Sequence, residues 1–348
     1  MNAVMQTADE TAYLCVDHYL QTLHQGVALQ AAFNYQLIDA LLDQGPLSFT
    51  VLLKNFPGDS AALGFLLGML KQGGVINGDV AGYRLTYDFI QSLEYQDLLE
   101  AKLAFASRVA SDFADHFSLL LTNPDEFFQQ SRLFELFDYS RAYEHSAANY
   151  SHTKCWMDIT SALTRYESLA CLKHYDFSRH QEMLDIGGNS GEFVMQICRR
   201  HPQLRATVLD LPVVCEVGRA HVREAPEAER IRFIEVGSDI APERYDLVSF
   251  KSMLHDWPAD RVADFIGQAF MALKPGGVLL IYERGHFDPL RSDMGYGNLP
   301  LLLFFRSYRG AGLYREIISR LGMAEASVIS LQLEMPFILL TVQKPSAG

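Results

Sequence analysis

The feature that most narrows the fold is an alternation that begins after Asp176, where short β-type apolar runs are separated by segments of helical pattern. The runs are Met183–Ile186, Ala206–Leu209, Ile231–Ile234, Asp246–Phe250 and Val278–Tyr282, and helices fit 191–201, 213–224, 258–273 and 310–321. Near-continuous apolar strands are buried on both faces, so helices must cover the sheet above and below: a parallel α/β sheet. Two further runs, Ser327–Leu331 and Phe337–Val342, lie close enough to pair antiparallel at one edge.

A chain of 348 residues suits two domains rather than one core. Upstream of the alternation the pattern is helical. Apolar residues recur at helical spacing from Ala31 to Leu42, a second run covers Phe49–Phe56, and Asp59-Ser60 can cap a helix over Ala61–Gln72. Val75-Ile76 and Tyr83–Thr86, joined by a turn from Asn77-Gly78 to Gly82, read as a hairpin. Three helices and a hairpin make a winged-helix order. Residues from Glu94 to about Tyr175 are helical and rich in aromatics, most of them core by their spacing. The boundary falls near Tyr175–His180, giving domains of residues 1–176 and 177–348.

Charge weighs against nucleic acid. The net charge is −13, and residues 1–100 carry only Lys54, Lys71 and Arg84 against eleven acidic residues. Such a surface repels phosphate backbones and anionic membranes. The five cysteines lie far apart with no C-x-x-C pair, which indicates neither a zinc knuckle nor a disulfide framework. MNAVMQTADE lacks a basic region followed by an apolar one, and the longest apolar run, Leu299–Phe305, is too short to span a bilayer. A cytoplasmic protein is expected.

The most informative segment is Leu184-Asp-Ile-Gly-Gly-Asn-Ser-Gly191, a strand entering a glycine turn and then a helix. Gly187, Gly188 and Gly191 allow close backbone approach to a ligand, but they match neither the G-x-G-x-x-G fingerprint nor a phosphate-binding loop. Asp185 just before the turn would oppose a pyrophosphate and could hold a cation. Asp210, ending the next strand, suits two ribose hydroxyls. A ligand with a ribose, an ammonium group and no phosphate fits this set. A bare structural turn is the plain alternative.

LDIGGNSG, LDLP, FKSMLHDWP and ALKPGGVLLIYE, in this order and spacing, resemble the S-adenosylmethionine-dependent small-molecule O-methyltransferases of the caffeate and bacterial natural-product type. The resemblance covers roughly residues 20–343. It implies a Rossmann-like class I methyltransferase domain, mostly parallel with an antiparallel edge, behind a mostly helical winged-helix dimerisation domain, and hence a homodimer. By resemblance, Asp185, Gly187, Gly188 and Gly191 line the methionine end of S-adenosylmethionine, Asp210 and Leu211 its ribose, and Lys251 stands near it. His255 matches the general base and Glu283 the carboxylate that orients it. The residues agree: both follow neighbouring strands at their carboxyl ends, and an imidazole suits proton removal near neutral pH. A satisfied core histidine is the ordinary role of a lone His, and the other ten are read that way.

Three positions depart from the family pattern. Asn189 stands for a third glycine and tolerates a left-handed backbone. The adenine-reaching Gly-Asp pair is replaced by Glu235-Val-Gly-Ser-Asp239, so Ser238 or a displaced Asp239 fills that slot. Tyr308 precedes Arg309 where a second glutamate is expected. That change keeps open carbon or nitrogen methylation, or a non-methylating relative; a winged-helix ligand sensor is the reading from another class. Candidates for lining an aromatic substrate are Phe134, Trp156, Met157, Asp256, Met294, Asn298, Phe305 and Tyr308. No metal is expected.

Overall fold

The computed structural model describes residues 10–346 except Gln21, 289–302 and Phe305. The described residues fall into two compact units, 10–135 and 136–346, each with its own core.

The first unit opens on a 3-10 helix, Ala12–Leu20, followed by α1 (Leu23–Asn34), α2 (Leu37–Gln44), α3 (Phe49–Asn55) and α4 (Ser60–Gln72). The single helix expected from Ala31 to Leu42 is broken. Tyr35 ends α1 and Gln36 adopts φ 55°, a left-handed conformation that starts α2 on a new axis while Leu37, Ile38 and Leu41 stay buried. Asp59 caps α4 as expected, its Oδ1 accepting from the Ala62 N–H at 2.8 Å. The hairpin of β1 (Ile76–Asp79) and β2 (Gly82–Leu85) follows. Its turn is Val80-Ala81, within the expected stretch 77 to 82 but shorter, since Asn77 and Gly78 pair within the ladder opposite Arg84 and Tyr83. Lys71, the lone base of α4, donates to the Gly78 carbonyl of the hairpin at 2.8 Å. The unit continues through α5 (Tyr87–Ser92), α6 (Gln96–Thr122), α7 (Pro124–Gln130) and α8 (Arg132–Leu136), with α1 packed on α2, α4 and α6. No described helix is long and apolar enough to cross a membrane.

The second unit begins with a long helix, α9 (Ala147–His174), capped by Ser146. Residues 136–176, grouped with the N-terminal domain by composition, belong to this unit. The composition changes at Asp176, but α9 packs on α10 (Glu192–Arg200) and α11 (Pro212–Val222), which carry the sheet. The sheet contains β3 (Glu182–Ile186), β4 (Arg205–Asp210), β5 (Ile231–Glu235), β6 (Tyr245–Lys251), β7 (Leu273–Arg284), β8 (Ser327–Gln332) and β9 (Pro336–Gln343), in the order β5-β4-β3-β6-β7-β9-β8. β3 to β7 are parallel, and β9 and β8 add the antiparallel edge. One core joins Leu184, Val248, Phe250, Leu279 and Ile281 of the strands to Val262 and Ile266 of α12 (Ala259–Ala272) and to Tyr314 and Ile317 of the last helix, Ala311–Arg320.

The chain builds outward from β3 to β5, then returns to add β6 on the other side of β3. Connections therefore leave β3 and β6 in opposite directions, opening a crevice at their carboxyl ends.

Two helical glycines test this packing. A Cβ on Gly218 of α11 would lie 2.4 Å from the Phe233 ring, whereas one on Gly267 of α12 would meet nothing within 4 Å. Helix propensity alone favours alanine at both by ~1 kcal/mol. Gly267→Ala is expected to stabilise by up to about that amount, while Gly218→Ala destabilises by roughly 1–3 kcal/mol through overpacking. Urea unfolding of the two variants measures the opposite signs.

Candidate active site

The glycine turn sits at the crevice. Gly187 has φ +69° and its N–H donates to the Leu209 carbonyl at 2.8 Å, so the chain bends away as soon as β3 ends. A Cβ on Gly187 would come within 2.4 Å of Met253 Cγ, so the turn runs tight against the loop after β6. Asn189 holds φ 56°, the left-handed conformation its side chain tolerates, and Gly191 caps α10.

Asp185 is fully buried on β3. One carboxylate oxygen accepts from Ser249 Oγ at 2.5 Å, and the other, Oδ2, has no hydrogen-bond partner. Burial pushes this carboxyl up to about 7, and nearby Asp210 adds to the rise. Asp210, at the end of β4, accepts from the N–H groups of Asn189 and Leu211, both at 2.8 Å. Burial outweighs those bonds and moves its carboxyl up to about 6. Around these residues lies a cavity of about 320 Å³. Gly187, Asp210, Leu211, Ser238, Ser252 and Met253 line one side of it; Tyr139, Trp156, Asp256 and Trp257 also face it.

Beside the cavity stands His255. Glu283, fully buried near the end of β7, accepts from the N–H groups of Met253 at 2.7 Å and Leu254 at 2.6 Å with one oxygen. Its other oxygen meets His255 Nδ1 at 2.8 Å. Nδ1 therefore carries the hydrogen toward Glu283, and Nε2 of the neutral ring has the lone pair. Asp256 Oδ1 lies 3.4 Å from Nε2. Burial works against a charged imidazole here, but Asp256 and Glu283 together raise its pKa from the ordinary histidine value. Tyr308 packs edge-on against the ring at 5.2 Å, and Arg309 holds the turn by donating to the Leu254 and Trp257 carbonyls.

Residues 100–295 match the model of the O-methyltransferase domain family. The chain belongs to that family. Among its relatives, the 3-hydroxy-5-methyl-1-naphthoate 3-O-methyltransferase of Streptomyces sahachiroi is 29% identical over 44% of this chain and 46% of its own length. The acetylserotonin O-methyltransferase of Rattus norvegicus is 31% identical over 47% and 38%. The matches thus span less than half the length of these curated relatives. A longer, weaker match, 25% identical over 84% of this chain and 89% of the relative, is the O-methyltransferase SfmM3 of Streptomyces lavendulae. Human N-acetylserotonin methyltransferase, solved in complex with SAM, shares the fold: TM-score 0.71 over 98% of this chain and all of that one, at 19% identity.

Of the candidate site residues, Gly187, Asp210, Leu211, Ser238, Asp256 and Trp156 line the cavity, with Asp185 directly behind its turn. Ser238, not Asp239, takes the lining position. Gly188 and Gly191 shape the turn without lining the cavity, and Met157 is core. Lys251 is turned toward α9, donating to Thr164 Oγ1 at 2.8 Å and pairing with Glu167. His255 and Glu283 meet as expected from their strands, though the imidazole stands next to the lining residues Met253 and Asp256 rather than among them. Phe134 lies in the first unit, its ring against Phe128. Met294, Asn298 and Phe305 lie outside the described residues. Glu167 and Arg284 carried no expectation from the sequence, and Tyr139 was only one of the aromatics of the helical segment, most of them read as core and a minority as lining for a flat ligand. An isolated acid in a helix and an aromatic among many give no local signal.

Asp185 supplies a test of this electrostatics. Its folded carboxyl holds a proton up to about 7, against ~3.9 when unfolded, so between those values the folded state binds more protons. Without ligand, this residue's contribution to stability is fullest below about pH 4 and declines by roughly 4 kcal/mol as the pH rises from there to about 7. Urea unfolding across pH is expected to show that decline in the parent chain and its loss in Asp185→Asn.

Proposed function

We propose that the chain is an S-adenosylmethionine-dependent methyltransferase that methylates a hydroxyl of a small aromatic metabolite, with His255 as the general base. The observation that carries this reading is the imidazole fixed by Glu283 beside a cavity that a glycine turn and the acids Asp210 and Asp256 border.

The residues suit the cofactor. Asp185 presents an unpaired buried carboxylate oxygen, the group that a cationic ammonium would satisfy, and Asp210 offers a carboxylate to ribose hydroxyls. Trp257, Ile240 and Phe265 give the cavity apolar lining that a purine could pack against. When bound, S-adenosylmethionine supplies an electrophilic methyl group on a sulfonium. The protein's share is to orient, to exclude water and to take a proton. His255 receives the acceptor's hydroxyl proton at Nε2, and the imidazolium so formed lies between the carboxylates of Glu283 and Asp256. A neutral phenol with pKa near ~10 is a weak nucleophile at neutral pH, so this base is expected to contribute ~10²–10⁴-fold. Exposed apolar side chains of the first unit, Leu23, Val27, Phe65 and Tyr87 among them, support self-association into a homodimer.

His255→Ala and His255→Gln are expected to lower methyl transfer by ~10²-fold or more while S-adenosylhomocysteine binds as before. Turnover at the parental rate would overturn the base assignment. Product formed with methyl-labelled cofactor and read by mass spectrometry distinguishes oxygen from carbon or nitrogen as the acceptor. Cofactor affinity, measured by calorimetry, is expected to strengthen as pH rises through about 6 and about 7, where Asp210 and Asp185 give up their protons. A pH-independent affinity would remove Asp185 from the ammonium site.

A further inference from the structure

The base rests on one carboxylate through Nδ1, but Nε2 also has an acid nearby, and that acid is held by a residue outside the catalytic motifs. Tyr139 opens the 3-10 turn Tyr139–Ala142, which Asp138 caps by accepting from the Ser140 N–H. Its ring is fixed edge-on to Trp156 at 5.4 Å and to Phe137 at 6.4 Å. From this position its hydroxyl donates to Asp256 Oδ2 at 3.2 Å. Asp256 then has its other oxygen, Oδ1, 3.4 Å from His255 Nε2. Tyr139 and Asp256 both line the cavity. Residue 308, packed edge-on against the same ring, is a tyrosine and brings no charge to it.

We propose that Tyr139 is a positioning residue for the base: its hydroxyl pins Asp256 so that the carboxylate stands opposite Nε2 and steadies the imidazolium formed when the acceptor loses its proton. The proposal rests on the reading of His255 as base, but the contact itself can be tested without turnover.

The groups facing Asp256 are Tyr139, His255, Glu283, Arg284 and Tyr308. Burial raises the Asp256 carboxyl, and the tyrosine hydrogen bond opposes that rise. Burial and the charge of Asp256 keep the Tyr139 phenol neutral, so it remains a donor. Removing the hydroxyl makes the Asp256 anion less available, and His255 then holds its proton less tightly. The sign is fixed: the imidazole should titrate at lower pH.

Tyr139→Phe keeps the ring packing and deletes only the donor. Nitrogen-15 NMR of the His255 ring in the cofactor-free protein is expected to show proton affinity reduced about threefold to tenfold. S-adenosylhomocysteine affinity and thermal unfolding should stay within about twofold and a few degrees of the parent chain. In an Asp256→Asn background, Tyr139→Phe should produce no further shift. An unchanged His255 titration in Tyr139→Phe, or an equal shift with Asp256 already replaced, overturns the proposal. Loss of methyl transfer in Tyr139→Phe with no change in the titration also overturns it, because a general packing defect then explains the loss. Full turnover in His255→Ala would instead refute the base while leaving the titration result to stand.

Discussion

One buried carboxylate carries the geometry of the site. Glu283 has no exposure to solvent, and its oxygens are spent on the Met253 and Leu254 N–H groups and on His255 Nδ1. An ionised acid so deep would be costly if unpaired; here backbone donors and an imidazole replace its hydration. Because β7 lies next to β6 in the sheet, the same contacts tie the Leu254–Asp256 turn to the neighbouring strand. Backbone geometry and ring tautomer are thus set by one side chain.

A second buried cluster attaches the wall of the cavity to those strands. Glu167 of α9 lies between Lys251 of β6 and Arg284 of β7, and Arg284 also donates to Ser252 Oγ at 3.0 Å. Burial alone would raise the Glu167 carboxyl, but the two cations reverse that and hold it near about 2. Such pairs contribute little net stability compared with apolar packing, yet breaking one partner leaves a charge stranded. Their effect here is registry. Tyr282 donates to the Glu167 carbonyl, Ser161 bonds Ser190, and Asn189 bonds Thr160, so α9 is fixed to the sheet and to the glycine turn along its length. Trp156, one turn before Thr160, is brought to the cavity by that attachment.

Much of this was legible in the chain before its fold was known. Alternating apolar runs implied the parallel sheet, because strands buried on both faces have no polar side to show. The glycine turn and the two acids beside it followed from their positions at strand ends, while the histidine–glutamate pair was given by the family resemblance and agreed with those positions. Boundaries read less well. The break at Tyr35-Gln36 interrupts an unbroken helical period, and the hairpin turn expected over 77 to 82 narrows to Val80-Ala81 because Asn77-Gly78 join the ladder.

The sequence by itself determined the sheet, the turn that borders the cavity and the identity of the residues at the ends of β6 and β7, since these depend on periodicity and on short-range backbone chemistry. Only the tertiary structure decided that Lys251 turns to Glu167, that α9 belongs with the sheet, and that Asp256 stands between Tyr139 and His255. Those contacts join residues as far as 117 positions apart, and burial rather than local pattern determines which charges must find partners.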